Sequence, residues 1–231
     1  MKLSGIHIST VSAVPGEYLM TLMPQRFARS RRYLHREDQL RCLGAGLLMH
    51  RVLGINEQDL RNGEFGKPYV LGGREFNLSH GGKWVILAED STPVGVDIEQ
   101  ILPWHRETAR LVFTPQEQTW LKQQATDAAF YRLWTGKEAV MKALGLGFNL
   151  PPESFGIFPD AAGPNRVCGR TWYLHWQQIE GYMMCIASES DAEPPNLISL
   201  SQNELLADKL SVNGRWNSQT PMARFISTVV R

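Results

Sequence analysis

The most regular alternation of apolar and polar positions in the chain lies at residues 94–99, Val-Gly-Val-Asp-Ile-Glu. A period of two predicts a half-buried strand. Its valines and isoleucine would face the core, while Asp97 and Glu99 would project together from the opposite face. Aspartate is uncommon in strands, so Asp97 between two β-branched residues favours a functional role over an ordinary exposed strand face.

A period of three to four residues predicts a helix over about residues 128–144, ended by glycines 145 and 147. Within it, Glu138 and Lys142 are four residues apart and share a face. That pair alone could be a surface ion pair of little energetic value. Combined with Asp97 and Glu99, it would bring three carboxylates and one ammonium together. Such a set can hold a divalent cation, most simply Mg²⁺, against a phosphate.

The remaining periodicity predicts two similar halves. The first has a strand at 3–11, a helix at about 24–54, and strands at 75–79 and 83–89 around the Gly81-Gly82 turn. The second has the 128–144 helix, with strands predicted at 154–158, 171–177 and 182–187.

The predicted fold class is therefore α+β, with two comparable subdomains, each a small and mostly antiparallel sheet with a long helix. The predicted ranges are 1–102 for the N-terminal subdomain, 103–206 for the C-terminal subdomain, and 207–231 for an extension of unknown structure.

Composition narrows the class of protein without identifying it. The chain has 231 residues and a formal net charge of +1, so nothing overall indicates a nucleic-acid or anionic membrane partner. Three scattered cysteines suit buried thiols in a reducing compartment. The N-terminus is typical of a strand rather than a signal peptide, and no apolar run approaches the roughly 20 residues of a membrane span. We expect a cytoplasmic protein without a membrane partner, and its two-subdomain length favours a monomer.

Two further groups of residues suit phosphate. Arginines crowd the start of the first long helix, and a guanidinium presents a planar fork of donors to phosphate oxygens, although a solvated basic face would look the same. Ser79 and His80 stand beside a turn. Because adjacent strand residues point to opposite faces, they do not suit a nucleophile–base pair and are better interpreted as separate hydrogen-bond donors.

These segments together resemble a 4′-phosphopantetheinyl transferase of the Sfp type. The resemblance covers nearly the whole chain up to residue 206, and it depends on the order and spacing of several motifs. They are Tyr-Leu-His-Arg-Glu-Asp at 33–38, Phe-Gly-Lys-Pro at 65–68, Phe-Asn-Leu-Ser-His at 76–80, Gly-Val-Asp-Ile-Glu at 95–99, Phe-Thr-Pro-Gln-Glu at 113–117 and Leu-Trp-Thr-Gly-Lys-Glu at 133–138.

The resemblance implies a pseudo-twofold α+β fold that binds coenzyme A between its halves. It implies that Mg²⁺ is held by Asp97, Glu99, Glu138 and the pyrophosphate. Lys142, Ser79 and His80 would then address the pyrophosphate. The nucleotide end, including its 3′-phosphate, would be addressed by Arg26, Arg29 and Arg41, and the adenine or phosphate region by Lys67.

The implied reaction moves phosphopantetheine from coenzyme A to a serine of an apo acyl or peptidyl carrier protein and releases 3′,5′-ADP. Glu138 is the first choice for the base that accepts the serine proton. Glu117 is the second, although Thr114-Pro115-Gln116-Glu117 also predicts a helical capping box. Two alternatives stay open: a metal-dependent nuclease, and a non-catalytic module that binds carrier proteins or nucleotides.

Overall fold

The computed structural model of the protein describes residues 1–160 and 163–207. Its helices are α1 (Ile8–Ser12), α2 (Gly16–Leu22), α3 (Pro24–Ser30), α4 (Arg36–Leu48, continued by a π-helical turn at Met49–Leu53), α5 (Arg106–Val112), α6 (Pro115–Gln124), α7 (Asp127–Leu144) and α8 (Gln202–Leu206). Its strands are β1 (Lys2–His7), β2 (Leu60–Asn62), β3 (Pro68–Val70), β4 (Glu75–Gly81), β5 (Trp84–Asp90), β6 (Val94–Gln100), β7 (Asn165–Val167), β8 (Arg170–Ile179), β9 (Tyr182–Ser188) and β10 (Ile198–Ser199).

The two principal sheets of the described residues share the topology of three of their four strands, and the fourth strand lies at opposite edges. In the N-terminal sheet the strand order is β10-β1-β5-β4, and in the C-terminal sheet it is β6-β9-β8-β7. Each half contains a strand, a long helix and a hairpin whose second strand pairs with the first strand of the unit. This repeat of β1-α4-β4-β5 in β6-α7-β8-β9 agrees with the α+β class and with the expected similarity of the two halves.

The sheets pack face to face, with helices on their outer sides. On β5, Val85 and Leu87 face the N-terminal helices, whereas Ile86 lies between the sheets. On β9, Cys185 faces the α7 side and Met184 lies between the sheets. Because both faces of these strands are covered, β5 and β9 are buried at every position.

Several local predictions are confirmed. β6 and α7 lie where the periodicity placed them, and Gly145 ends α7 in the left-handed conformation with φ of 73°. The predicted capping box at Thr114 is present, with the Glu117 carboxylate accepting the Thr114 N–H at 2.7 Å.

Three predicted elements differ from the structure. The first strand ends at His7, and the following residues form α1, whose first turn is capped by the His7 ring. The predicted 24–54 helix is divided into α3 and α4, because Ser30 bonds back to the Phe27 carbonyl and the backbone is extended at His35.

The strand predicted at 154–158 does not form. Phe155 and Ile157 are buried, as an alternating pattern requires, but two backbone donors of this segment bond to side chains instead of a neighbouring strand. The Ile157 N–H donates to Glu117 and the Phe158 N–H to Asn165. The alternation of apolar residues therefore predicted which side chains are buried, but it did not predict whether the segment pairs with a neighbouring strand.

The predicted subdomain ranges agree with the sheet topology only in part. The predicted boundary at residue 102 would assign β6 to the N-terminal subdomain, whereas its hydrogen bonds are to β9 in the C-terminal sheet. In the other direction, β10 pairs with β1, so residues 198–199 complete the N-terminal sheet. Except for Ala207, the predicted extension lies outside the described residues. Within the described ranges, no helix is long and apolar enough to cross a membrane.

Candidate active site

Strand β6 and helix α7 approach closely enough to bring their charged side chains together. The approach depends on Gly95, where a Cβ atom would lie 1.9 Å from the Ala139 carbonyl oxygen and 2.5 Å from the Ala143 nitrogen. Gly95, Asp97 and Glu99 alternate along one face of the strand, as predicted. Asp97 therefore projects toward the side of α7 that carries Lys142.

A hydrogen-bonded cluster forms around Asp97, whose side chain is only 3% exposed. Its Oδ1 accepts from Lys142 Nζ at 2.5 Å and from the Ser79 hydroxyl at 2.8 Å. Lys142 Nζ also donates to Ser79 Oγ at 3.1 Å and lies 4.0 Å from Glu138 Oε2. The predicted group of Asp97, Glu138 and Lys142 is thus brought together in one place.

The surroundings of the two glutamates next to this cluster shift both of their pKa values upward. Burial, with the nearby charge of Asp97, raises the pKa of Glu99 to about 7, although Lys142 and a hydrogen bond from Trp134 oppose the shift. Burial also raises the pKa of Glu138. Burial alone would lower the pKa of Lys142, but Asp97 and Glu138 raise it overall. The three carboxyl groups of Asp97, Glu99 and Glu138 thus share one ammonium, that of Lys142.

The chemistry of these groups fits a divalent cation. Asp97 Oδ2 is buried and has no hydrogen-bond partner, which leaves a lone pair directed into the interior. Carboxylate oxygens are the ligands that Mg²⁺ prefers, and a bound cation would stabilise the charged form of Glu99, which burial and the nearby charge of Asp97 disfavour. Among residues 1–160 and 163–207, however, no three acidic, His or Cys side chains are arranged as a formed metal site. Asp97 is instead neutralised by Lys142.

Ser79 and Asn77 join the two sheets where β4 runs beside β6. Asn77 Oδ1 accepts the Val96 N–H at 2.9 Å, and Ser79 Oγ accepts the Ile98 N–H at 3.3 Å. In this arrangement the Ser79 hydroxyl donates to Asp97, and its predicted contact with a phosphate stays a prediction. Sequence reasoning missed Asn77, although two polar residues at i and i+2 of an otherwise buried strand were a usable signal.

His80 and Arg41 lie on the solvent side of the cluster. Burial lowers the pKa of the His80 ring, and the cations Lys142 and Arg41 lower it further. Arg41 donates to the Gly82 carbonyl at 2.5 Å and to Asp38 at 2.6 Å. The structure therefore places two predicted phosphate-binding residues beside Lys142. Ser79 is buried while His80 is exposed, as expected for neighbours on opposite strand faces.

Lys67 links the two halves at the end of α7. Its Nζ donates to the Ala143 carbonyl at 3.0 Å and lies 3.4 Å from Glu75 Oε2. Burial lowers its pKa, with Glu75 opposing the shift. An ammonium at the C-terminus of α7 also meets the negative end of the helix dipole. Lys67 thus has a structural role, and its predicted contact with adenine or phosphate stays a prediction.

Arg26 does not lie in the site. It is buried, with its Nε 3.3 Å from Glu57 Oε1 and its guanidinium donating to the Cys42 carbonyl at 3.4 Å. It also packs against Gly46, where any Cβ atom would collide with its side chain. The prediction that Arg26 binds a nucleotide phosphate is therefore not supported, because its charge is used inside the N-terminal half. Arg29 is exposed at the end of α3.

Glu117 belongs to a buried ion pair rather than to the cluster around Asp97. Its Oε2 lies 2.9 Å from Lys137 Nζ, and both side chains are 0% exposed. The Oε1 atom accepts the Ile157 N–H at 2.8 Å, and Lys137 also donates to the Pro152 carbonyl at 2.7 Å. Both carboxylate oxygens are thus engaged in joining α6, α7 and the 152–157 segment. The second-choice base is corrected to a structural residue.

Comparison with known proteins gives consistent matches. The sequence model of the 4′-phosphopantetheinyl transferase superfamily matches residues 93–187, which contain β6 and α7. The chain is 32% identical to the 4′-phosphopantetheinyl transferase Sfp of Bacillus subtilis (strain 168), over 89% of this chain and 100% of that protein. It is 35% identical to the 4′-phosphopantetheinyl transferase ffp of Bacillus subtilis, with the same two coverages. The 4′-phosphopantetheinyl transferase gsp of Aneurinibacillus migulanus is 37% identical over 54% of this chain and 57% of its own length.

Proposed function

This chain belongs to the 4′-phosphopantetheinyl transferase superfamily, and on that premise we propose that it transfers phosphopantetheine from coenzyme A to a serine of an apo acyl or peptidyl carrier protein. The other product is 3′,5′-ADP. The observation that carries the proposal is the cluster of Asp97, Lys142 and Glu138 at the contact of β6 with α7. A nuclease or a binding module is the less economical hypothesis, since full-length relatives are named transferases.

Asp97, Glu99 and Glu138 would hold Mg²⁺. When bound there, the ion would polarise the β-phosphoryl group and offset negative charge on the leaving phosphate. Phosphoryl transfer depends mainly on positioning and charge stabilisation, which suits a cluster whose polar groups are fixed by two elements of the fold. Lys142 would neutralise pyrophosphate charge, and His80 and Arg41 would bind phosphate oxygens from the solvent side.

Glu138 is the group that would accept the proton of the carrier serine. It is half-buried on the same side of α7 as Lys142, four residues away, and its carboxylate lies at the edge of the cluster around Asp97, where it can accept a proton from a bound hydroxyl. Glu117 has no free oxygen for this step. A Glu138→Gln variant keeps the shape of the side chain and loses its basicity. A near wild-type rate in that variant would exclude this role.

Intact mass spectrometry of an apo carrier protein tests the function directly. Incubation with this protein, coenzyme A and Mg²⁺ should add one phosphopantetheine, and EDTA should prevent the addition. Asp97→Ala should abolish it, whereas Asp127→Ala, which removes an exposed carboxylate at the start of α7, should not. No mass gain across fatty-acid, polyketide and peptide carriers, with a folded protein, would refute the proposal.

The proposal also covers the oligomeric state of the protein, its location and its partners. We expect a monomer that acts in the cytoplasm, without nucleic acid or membrane as partner. Sedimentation velocity of the purified protein, alone and with carrier protein, would measure the first of these expectations.

A further inference from the structure

We propose that Lys142 is a resident counter-cation of Asp97, and that a divalent cation displaces its ammonium when it binds between Asp97 and Glu138. This inference rests on the proposed function, because the same carboxylates form the proposed metal ligands. It adds a step that family membership does not specify: the site exchanges one cation for another.

The position of the ammonium carries the argument. Lys142 Nζ is 2.5 Å from Asp97 Oδ1 and 4.0 Å from Glu138 Oε2, so it lies within ion-pair distance of both carboxylates. A divalent cation that bonds to both, at Mg–oxygen distances of about 2.0–2.1 Å, would compete with this ammonium for the same two groups. The absence of a formed three-ligand cluster among the described residues agrees with an interposed lysine.

Charge favours exchange of one occupant for the other over stable occupancy by both. A divalent ion and an ammonium on the same buried carboxylate would repel each other strongly at a separation of a few ångströms. Asp97 Oδ2 has no partner, so an incoming ion can bond to Asp97 before the Lys142 contact breaks. Ser79 touches both Asp97 and Lys142, and its hydroxyl can stay with the carboxylate after the ammonium leaves.

The displaced ammonium acquires a new role. Lys142 is on a flexible stem and its side chain is already 27% exposed, so it can turn outward toward solvent and His80. A pyrophosphate arriving with the metal would meet a cation that is no longer paired. Metal binding would thereby strengthen phosphate binding, and linkage requires the reverse effect to be equal.

Divalent-ion binding without coenzyme A is the first test, with Mn²⁺ as the probe and free Mn²⁺ counted by electron paramagnetic resonance. Removing the competing ammonium in Lys142→Met should tighten Mn²⁺ binding by at least about tenfold. Lys122→Met removes one exposed positive charge elsewhere and should leave the affinity within about twofold. Unchanged or weaker binding in Lys142→Met would overturn the proposal.

A second test uses the unmodified protein and separates displacement from simple repulsion. Acetic anhydride acylates accessible amines, and mass spectrometry of peptides measures the extent at each lysine. Mg²⁺ should increase the labelling rate of Lys142 severalfold and leave Lys122 unchanged. If Mg²⁺ binds while labelling of Lys142 stays equal or falls, the ammonium is not displaced and the proposal is wrong.

The outcomes are distinguishable from failure of the proposed function. Carrier modification by the wild-type protein decides the reaction class, whereas Mn²⁺ affinity and Lys142 labelling need neither coenzyme A nor carrier. If the protein modifies carrier proteins but Lys142 does not respond to divalent ions, the proposed function stands and only the displacement of Lys142 is refuted.

Discussion

A methyl group added at Gly95 should separate β6 from α7 and so disturb the site without touching any charged side chain. The Cβ of Gly95→Ala would lie 1.9 Å from the Ala139 carbonyl oxygen, and real Cβ contacts are essentially never shorter than 3.0 Å. The opposing atoms are helix backbone, which cannot rotate away as a side chain can. The helix must therefore retreat by about 1.1 Å, the difference between these two distances.

The consequences can be estimated from that retreat. Overpacking a well-filled core costs about 1–3 kcal/mol of unfolding free energy. A misplacement of about 1 Å between reacting groups can cost about 100-fold in rate. Because α7 carries Glu138 and Lys142 while β6 carries Asp97, we expect losses of this size in both stability and carrier-modification rate.

Urea denaturation and the rate of carrier modification would be measured on the same preparations. Gly16→Ala is the matched control, since its Cβ would meet nothing within 4 Å. It should stay within about 0.5 kcal/mol of the wild type, as an ordinary surface substitution does. If Gly95→Ala were as stable and as active as Gly16→Ala, the close approach of β6 and α7 would not be what positions the site.

Three further predictions concern charge. Lys137→Met should lose about 3–5 kcal/mol of unfolding free energy in urea, because it leaves the buried Glu117 carboxylate without its cation. Adding Glu117→Gln should restore part of that free energy. A loss below about 1 kcal/mol in Lys137→Met would contradict a stabilising ion pair. Glu99 should make the metal-free protein less stable as pH rises from about 4.5 toward 7, because over that window the folded state keeps the Glu99 proton and the unfolded state does not. The melting temperature of Glu99→Gln should therefore fall less steeply with pH than that of the wild type. Identical pH profiles for the two proteins would count against the raised pKa. Arg41→Gln should raise the KM for coenzyme A by about tenfold with a smaller effect on kcat, and an unchanged KM would remove Arg41 from the phosphate site.

The sequence predicted the cluster well where a short period fixed the geometry. On one strand, residues two apart must share a face, and on one helix, residues four apart must do so. Asp97 with Glu99 and Glu138 with Lys142 follow from these rules alone. That the two pairs would meet needed the family resemblance, because no local pattern states which helix covers which strand.

The failures were long-range. An arginine-rich helix start looks the same whether each guanidinium faces solvent or a buried acid, and Arg26 finds Glu57 only in the folded chain. The 154–158 segment alternates like a strand, yet two of its backbone donors bond to the side chains of Glu117, which is distant in sequence, and Asn165, which follows a turn. A hydrogen-bond partner that lies far away in the sequence does not change the local periodicity, so the pattern around a residue cannot predict it.

The pairing of β10 with β1 has a consequence for synthesis on the ribosome. β1 is synthesised long before β10, but its outer edge is covered by Ile198 and Ser199, and the Leu200 N–H bonds to the Gly5 carbonyl. Leu205 then fills the core beneath the N-terminal helices. Until β10 has been synthesised, β1 therefore has an unpaired edge, the kind of surface that recruits other chains. A nascent chain halted before residue 198 should need a chaperone that a chain extended through residue 206 no longer needs.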